Sequence, residues 1–196
     1  MILPLLLAAA AFAANPLENK VTLVAAPGLE FHAICKASKL PCAIELDSAA
    51  AGDPRGRTEF RADDDTVSAA MNRAILRYPG HRWRFRKGVL YVTPNEPDDA
   101  TPLDKPLAGK KFDESLDTAR EEFGAGAGFC SVPRGGDAGP KAGADKKVAF
   151  TLDEPTPRAV LTELVFRRGA AGWVVVRSSA GAGKSLYCLD FVEYGG

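Results

Sequence analysis

The sequence predicts an α+β protein made of two small repeated modules, each close to β-α-β-β-α-β-β with two helices packed on short sheets. Three observations carry this expectation: a gapless internal match, an apolar stripe at helical spacing in each copy, and short alternating runs closed by glycine turns. The match lays "EFRADDDTVSAAMNRAILRYPGHRWRF" from Glu59 on "AFTLDEPTPRAVLTELVFRRGAAGWVV" from Ala149. Phe60 falls on Phe150, Asp63 on Asp153, Thr66 on Thr156, Ala69 on Ala159, Arg77 on Arg167 and Trp83 on Trp173, always ninety positions apart. The two tryptophans are the only ones in the chain. A chance register does not bring both to one position while keeping the pattern between them.

Taken in order, residues 1–14 read as a secretory signal peptide. Met1-Ile2-Leu3-Pro4-Leu5-Leu6-Leu7 opens an apolar stretch closed by Ala11-Phe12-Ala13-Ala14, with cleavage expected after Ala13 or Ala14, although no Lys or Arg precedes it. With fewer than about 18 apolar residues it is too short for an ordinary membrane span.

The first module is expected over residues 20–95. Val21 to Val24 reads as a strand, Leu29 to Lys36 as a short helix, and Cys42 to Leu46 as a second strand. A polar loop, "DSAAAGDPRGR", leads to a strand at Phe60 and an acidic turn. Thr66 then stands where a helix N-cap belongs. Val67, Ala70, Met71, Ala74, Ile75 and Tyr78 form one continuous apolar stripe, and Gly80 breaks the helix. Trp83 to Arg86 and Val89 to Thr93 flank Lys87-Gly88, a hairpin signal.

Residues 96–110 have the proline and charge content of a linker. The second module, 111–194, is expected to begin with a helix from Phe112 to Phe123, with Phe112, Leu116, Ala119 and Phe123 on one side. A strand at Phe129 to Val132 and a Gly-rich loop at 133–147 follow. Thr156 and Pro157 start the matching helix, whose stripe is Val160, Leu161, Leu164 and Val165. Glycines from Gly169 to Gly172 end it before a Trp173-led strand, a turn at 178–185 and a last strand.

That last turn, "SSAGAGKS", looks like part of a phosphate-binding loop. Such a loop needs a glycine five residues before the Gly-Lys-Ser and a helix after it to offer amides to the phosphates. Here the glycine position is Ser178, and "LYCLDF" alternates like a strand. The stretch therefore reads as a hairpin tip and not as a nucleotide site.

Acidic and basic residues balance at 25 each, so composition points neither to nucleic acid nor to an anionic membrane. Cys35, Cys42, Cys130 and Cys188 in an exported chain imply two disulfides. Three connectivities are open. Cys35 with Cys42 and Cys130 with Cys188 is favoured, because it gives each half one bridge. A redox enzyme would want a close C-x-x-C pair, which is missing.

The catalytic inventory is thin, and no catalytic, metal or cofactor-binding residue is assigned. His32, beside Phe31 and Ile34, reads as a partly buried structural imidazole, and His81 as a solvated turn residue. No spacing suggests zinc, and no nucleophile elbow frames a serine. Asp63-Asp64-Asp65 could take a hard cation but is explained more simply by the positive end of the following helix. A basic cluster stands out more: Arg73 and Arg77 lie one helical turn apart, while Arg82, Arg84 and Arg86 alternate with Trp83 and Phe85, and Lys87 extends the row. Such a strand has one cationic and one apolar face, suited to an acidic partner or an anionic glycan, although a solvated strand face is the simpler reading.

From "VTLVAAPGLEFHAICKASKLPCAIELD" through "GRTEFRADDDTVSAAMNRAILRYPGHRWRFRKGVLYVTP", the first half resembles the short N-terminal module shared by secretins and TonB-dependent receptors. Thr66, Val67, Ala70, Met71, Ala74 and the Trp83 to Thr93 hairpin carry the likeness. Leu40-Pro41 stands where the family usually has a glycine, and the cysteines lie outside its pattern. The second half is similar to a diverged copy. The resemblance implies a two-helix module that docks on other envelope proteins. The expectation is thus a periplasmic or secreted, non-catalytic interaction protein whose partner pairs with an exposed strand edge or packs on the Trp-led hairpin. The alternative is an enzyme or binding protein acting on cell-wall material in a groove between the halves.

Overall fold

The computed structural model describes residues 15–48, 58–96, 101–109, 111–126, 129–131, 147–169, 171–179 and 185–194. The expected signal peptide, nearly all of the Gly-rich loop at 133–147, and the glycine-rich tip at 180–184 lie outside them. The first half runs β1 (Lys20–Ala25), α1 (Glu30–Ser38), β2 (Cys42–Asp47), β3 (Phe60–Thr66), α2 (Val67–Ile75), β4 (His81–Arg86) and β5 (Val89–Pro94). The second follows the same order with β6 (Lys111–Glu114), α3 (Leu116–Gly126), β7 (Phe129–Ser131), β8 (Val148–Thr151), α4 (Pro157–Arg168), β9 (Ala171–Ser179) and β10 (Ser185–Glu193). The chain is an α+β protein.

The helices begin where their caps sit. The Thr66 hydroxyl accepts from the Ala69 amide at 3.1 Å, and the Thr156 hydroxyl accepts from the Ala159 amide at 3.2 Å. Pro157 occupies the first turn of α4, and Gly169 at φ 79° closes it in the left-handed conformation, which glycine adopts without steric cost. Each tryptophan donates to the polar residue eleven positions before it: Trp83 Nε1 to Asn72 Oδ1 at 2.9 Å, Trp173 Nε1 to Thr162 Oγ1 at 3.3 Å. Arg77 lies over Phe60 as Arg167 lies over Phe150. Cys35 is bridged to Cys42, and Cys130 on β7 to Cys188, its registered neighbour on β10.

The pattern of strand pairing is the same in the two halves. β1 with β3, and β6 with β8, form two-stranded antiparallel sheets. The remaining strands form one sheet in the order β4-β5-β2-β9-β10-β7. Each half contributes three consecutive strands, and the joint is β2 running parallel to β9 from Cys42↔Gly172 to Asp47↔Arg177.

Alternate residues of a strand face opposite sides, so core membership shows how the layers lie. Cys42, Ile44, Leu90 and Val92 pack on one side with Phe31 and Ile34 of α1 and Val67, Met71 and Ala74 of α2. Ala43, Val89, Trp173, Val175 and Leu189 pack on the other with Leu116, Ala119 and Phe123 of α3 and Val160, Leu161 and Leu164 of α4. The helices of the first half cover one face of the shared sheet, and those of the second half cover the opposite face.

Several expectations need correction. Phe112 is not in a helix. It lies in β6 opposite Phe150, with the rings stacked at 5.4 Å, because a strand partner is available to it in the fold. The acidic run Asp63 to Asp65 is part of β3, with Asp64 at φ 50° beside a ladder irregularity, and not a turn. His81 is a strand residue, only 7% exposed, whose Nε2 accepts from the Asp47 amide at 3.0 Å. The expected linker contributes to the core, since Leu103 is 1% exposed within a short 3-10 turn capped by Thr101.

Candidate partner-binding surface

The β4-β5 hairpin closes one end of the six-stranded sheet. Lys87 at φ 50° and Gly88 at φ 80° make its two-residue turn, both with positive φ as a type I′ turn demands. A side chain at position 88 would stand 3.0 Å from the Phe166 ring, so glycine also lets the tip approach α4. Among the described residues β4 has one strand neighbour, β5. Alternate residues of an edge strand leave amide and carbonyl groups pointing outward.

Trp83 and Phe85 pack against the first core, whereas Arg82, Arg84 and Arg86 are exposed on the other face. Arg84 stacks over the Tyr91 ring at 5.3 Å. Burial raises the Tyr91 phenol above its ordinary value, against the pull of Arg84 and Arg86. No carboxylate among the described residues pairs with Arg82, Arg84, Arg86 or Lys87.

Two clefts adjoin this face and share Arg84 and Arg158. The first, about 180 Å³, is lined by Glu45, Arg82, Thr93, Asp104 and Arg177 among others. The second, about 410 Å³, runs between the hairpin and α4, past Lys87, Tyr91 and Phe166. Arg158 is fully engaged: it grips Asp104 bidentately at 2.7 and 2.9 Å and also pairs with Glu45 of β2. Burial lowers Arg158 and raises Asp104 from their ordinary values, although the Asp104 carboxylate still reaches solvent. Arg177 faces Asp47 at 3.6 Å. The cleft floor is thus neutralised from within, and the unspent positive charge sits on β4 and its turn.

The six basic residues singled out in the sequence do not form one site. Arg73 pairs with Asp65 and lies over Phe60. Arg77 pairs with the fully buried Glu30 at 3.2 Å and donates to the carbonyls of Thr58 and Glu59. Both hold the first half together, while the arginines of β4 face the other side of the sheet. His32 is half-buried at the rim of an apolar groove with Val174, Val176 and Asp190, and burial, then Lys36, lowers it. Asp64 meets Lys20 at 3.6 Å, and no group of three metal-ligating side chains occurs among the described residues.

Sequence reasoning missed the Arg158 clamp. One signal was present: an arginine directly after Pro157 places a cation at the positive end of α4, which is unfavourable without nearby carboxylates. No family model, curated protein or solved structure matches the chain.

Proposed function

We propose that this chain is an exported envelope protein built from two duplicated modules of the secretin and TonB-receptor N-terminal type, working through protein contacts made by the cationic β4-β5 hairpin. One observation carries the reading: four cations stand in a row at a sheet edge without a carboxylate partner among the described residues, whose other arginines are largely engaged. Two disulfides fit an oxidising compartment, and no helix among the described residues is long and apolar enough to cross a membrane. The shared element order, matching caps and equivalent tryptophan bonds support duplication.

A photo-crosslinking amino acid placed at position 82 or 86 tests this in an envelope extract. It is expected to capture a specific protein that is lost on charge reversal of Arg84, and a probe at Leu76, exposed on the opposite side of the first half, is expected not to. Capture from both places alike, or clear turnover in an activity screen with no capture, would reverse the reading. A second reading, an anionic ligand in the clefts, draws on their lining by both halves. Its internal ion pairs weigh against it.

A further inference from the structure

β9 and β4 occupy the same place in their halves: each follows the capped helix, carries the aligned tryptophan as its third residue and pairs antiparallel with the next strand. On its other side β9 carries β2, parallel, through six registered pairs. On that side β4 carries no strand among the described residues. We propose that the β4 edge accepts an extended segment of a partner protein, running parallel to β4 and alternating acidic with apolar residues. This rests on the reading of the hairpin as a partner surface and adds direction, register and chemistry to it.

The internal joint supplies the register. Ala43 lies beside Trp173, Ile44 beside Val174, Glu45 beside Val175 and Leu46 beside Val176. At the corresponding places β4 has Trp83, Arg84, Phe85 and Arg86, by the ninety-residue offset. Directly paired residues share a face, so a segment seated on β4 as β2 sits on β9 puts alternate side chains next to Trp83 and Phe85 and the others next to Arg84 and Arg86. The first set must be apolar. The second must be acidic, because arginines stand there in place of the apolar Val174 and Val176, and no carboxylate among the described residues pairs with them. Backbone ladder bonds supply affinity that does not depend on sequence, and the arginines select the segment.

A second copy of this chain is the competing occupant. Extending the joint would bring β7 of one molecule to β4 of another, since β7 is the counterpart of β2 and ends the sheet. Yet β7 is Phe129-Cys130-Ser131, without a carboxylate for the arginines. A row of arginines on an edge strand also resists pairing with a neutral strand.

The test uses the whole protein and a fluorescent hexapeptide alternating glutamate and valine, followed by anisotropy. Expected are saturable binding that weakens as salt rises, at least tenfold loss with R82Q/R84Q/R86Q, no binding of a lysine-valine counterpart, and loss on N-methylation of alternate peptide amides. A spin label on the peptide N-terminus should broaden amide signals near His81, and one on its C-terminus those near Arg86. Equal binding of the N-methylated peptide, or the reverse broadening pattern, overturns strand addition and leaves the cationic surface standing. Failure of every acidic probe together with failure of the crosslinks at 82 and 86 overturns both. Self-association that the peptide disperses would assign the edge to a second copy and overturn the proposal.

Discussion

Glu30 is fully buried yet holds three partners: Arg77 at 3.2 Å, the Tyr78 hydroxyl at 2.5 Å and the Gly28 amide at 2.9 Å. A buried carboxylate is tolerable only with such neutralisation, and removing it takes the counter-charge from Arg77 and one acceptor from the Tyr78 hydroxyl. Glu30→Ala is expected to lose about 3–5 kcal/mol in denaturant unfolding, and Glu30→Gln about 1–3 kcal/mol, since the amide still accepts a bond. Equal losses would show that the charge itself contributes nothing. Burial likewise holds His81 below the ordinary imidazole range, outweighing the upward pull of Asp47 and of the Tyr78 and Pro79 carbonyls. The unfolded chain then takes up the proton first as pH falls. Stability from this residue is complete above about pH 6.5 and drains as pH drops through that value towards the folded pKa. His32 is shifted the same way. The urea midpoint should therefore fall between pH 7 and 5, and less steeply in His81→Gln. An unchanged slope in that variant would remove His81 from the account.

Among elements, α2 and α4 owe their starting points to Thr66 and Thr156, each bonded to the amide three residues on. Thr66→Ala and Thr156→Ala are each expected to cost about 1 kcal/mol, with serine restoring most of it. A cost at one site only would mean that packing sets the other helix start. These caps, the Trp83 hairpin and the α4 stripe were legible because each is a local pattern with its own physics. The helix expected from Phe112 was not. Phe112 keeps helical spacing with Leu116, but its ring stacks on Phe150, a residue 38 positions away that no local window contains. The cationic row on β4 was visible as an alternation. That Arg73 and Arg77 belong elsewhere was not, because their partners, Glu30, Asp65 and Phe60, are brought to them by the fold.

For the whole molecule, the β2-β9 joint makes one sheet of strands from both halves, reinforced by Arg158 gripping Glu45 and Asp104. Separating the halves would expose Ile44, Val174 and Trp173, so both are expected to unfold together. Trp83→Phe and Trp173→Phe leave one reporter in each half, and their fluorescence midpoints should coincide. Two distinct midpoints would mean independent domains. The bridges differ in reach: Cys130–Cys188 spans 58 residues and Cys35–Cys42 spans 7. Loop-closure entropy predicts that replacing the first pair with serine costs about 4 kcal/mol and the second about 2 kcal/mol. The opposite ranking would place the effect in native packing and not in the unfolded chain.

By itself the sequence determined the α+β class, the positions of the capped helices, the tight hairpin, and a preferred pairing of the four cysteines within halves. Each of these is set by neighbours a few residues apart or by the ninety-residue match. Only the tertiary structure decided that the halves share a sheet and cover opposite faces of it, that His81 is buried, and that Arg158 clamps the joint. Parallel pairing of strands about 130 residues apart leaves no local period in a chain, since either strand shows the same alternation whichever partner it finds.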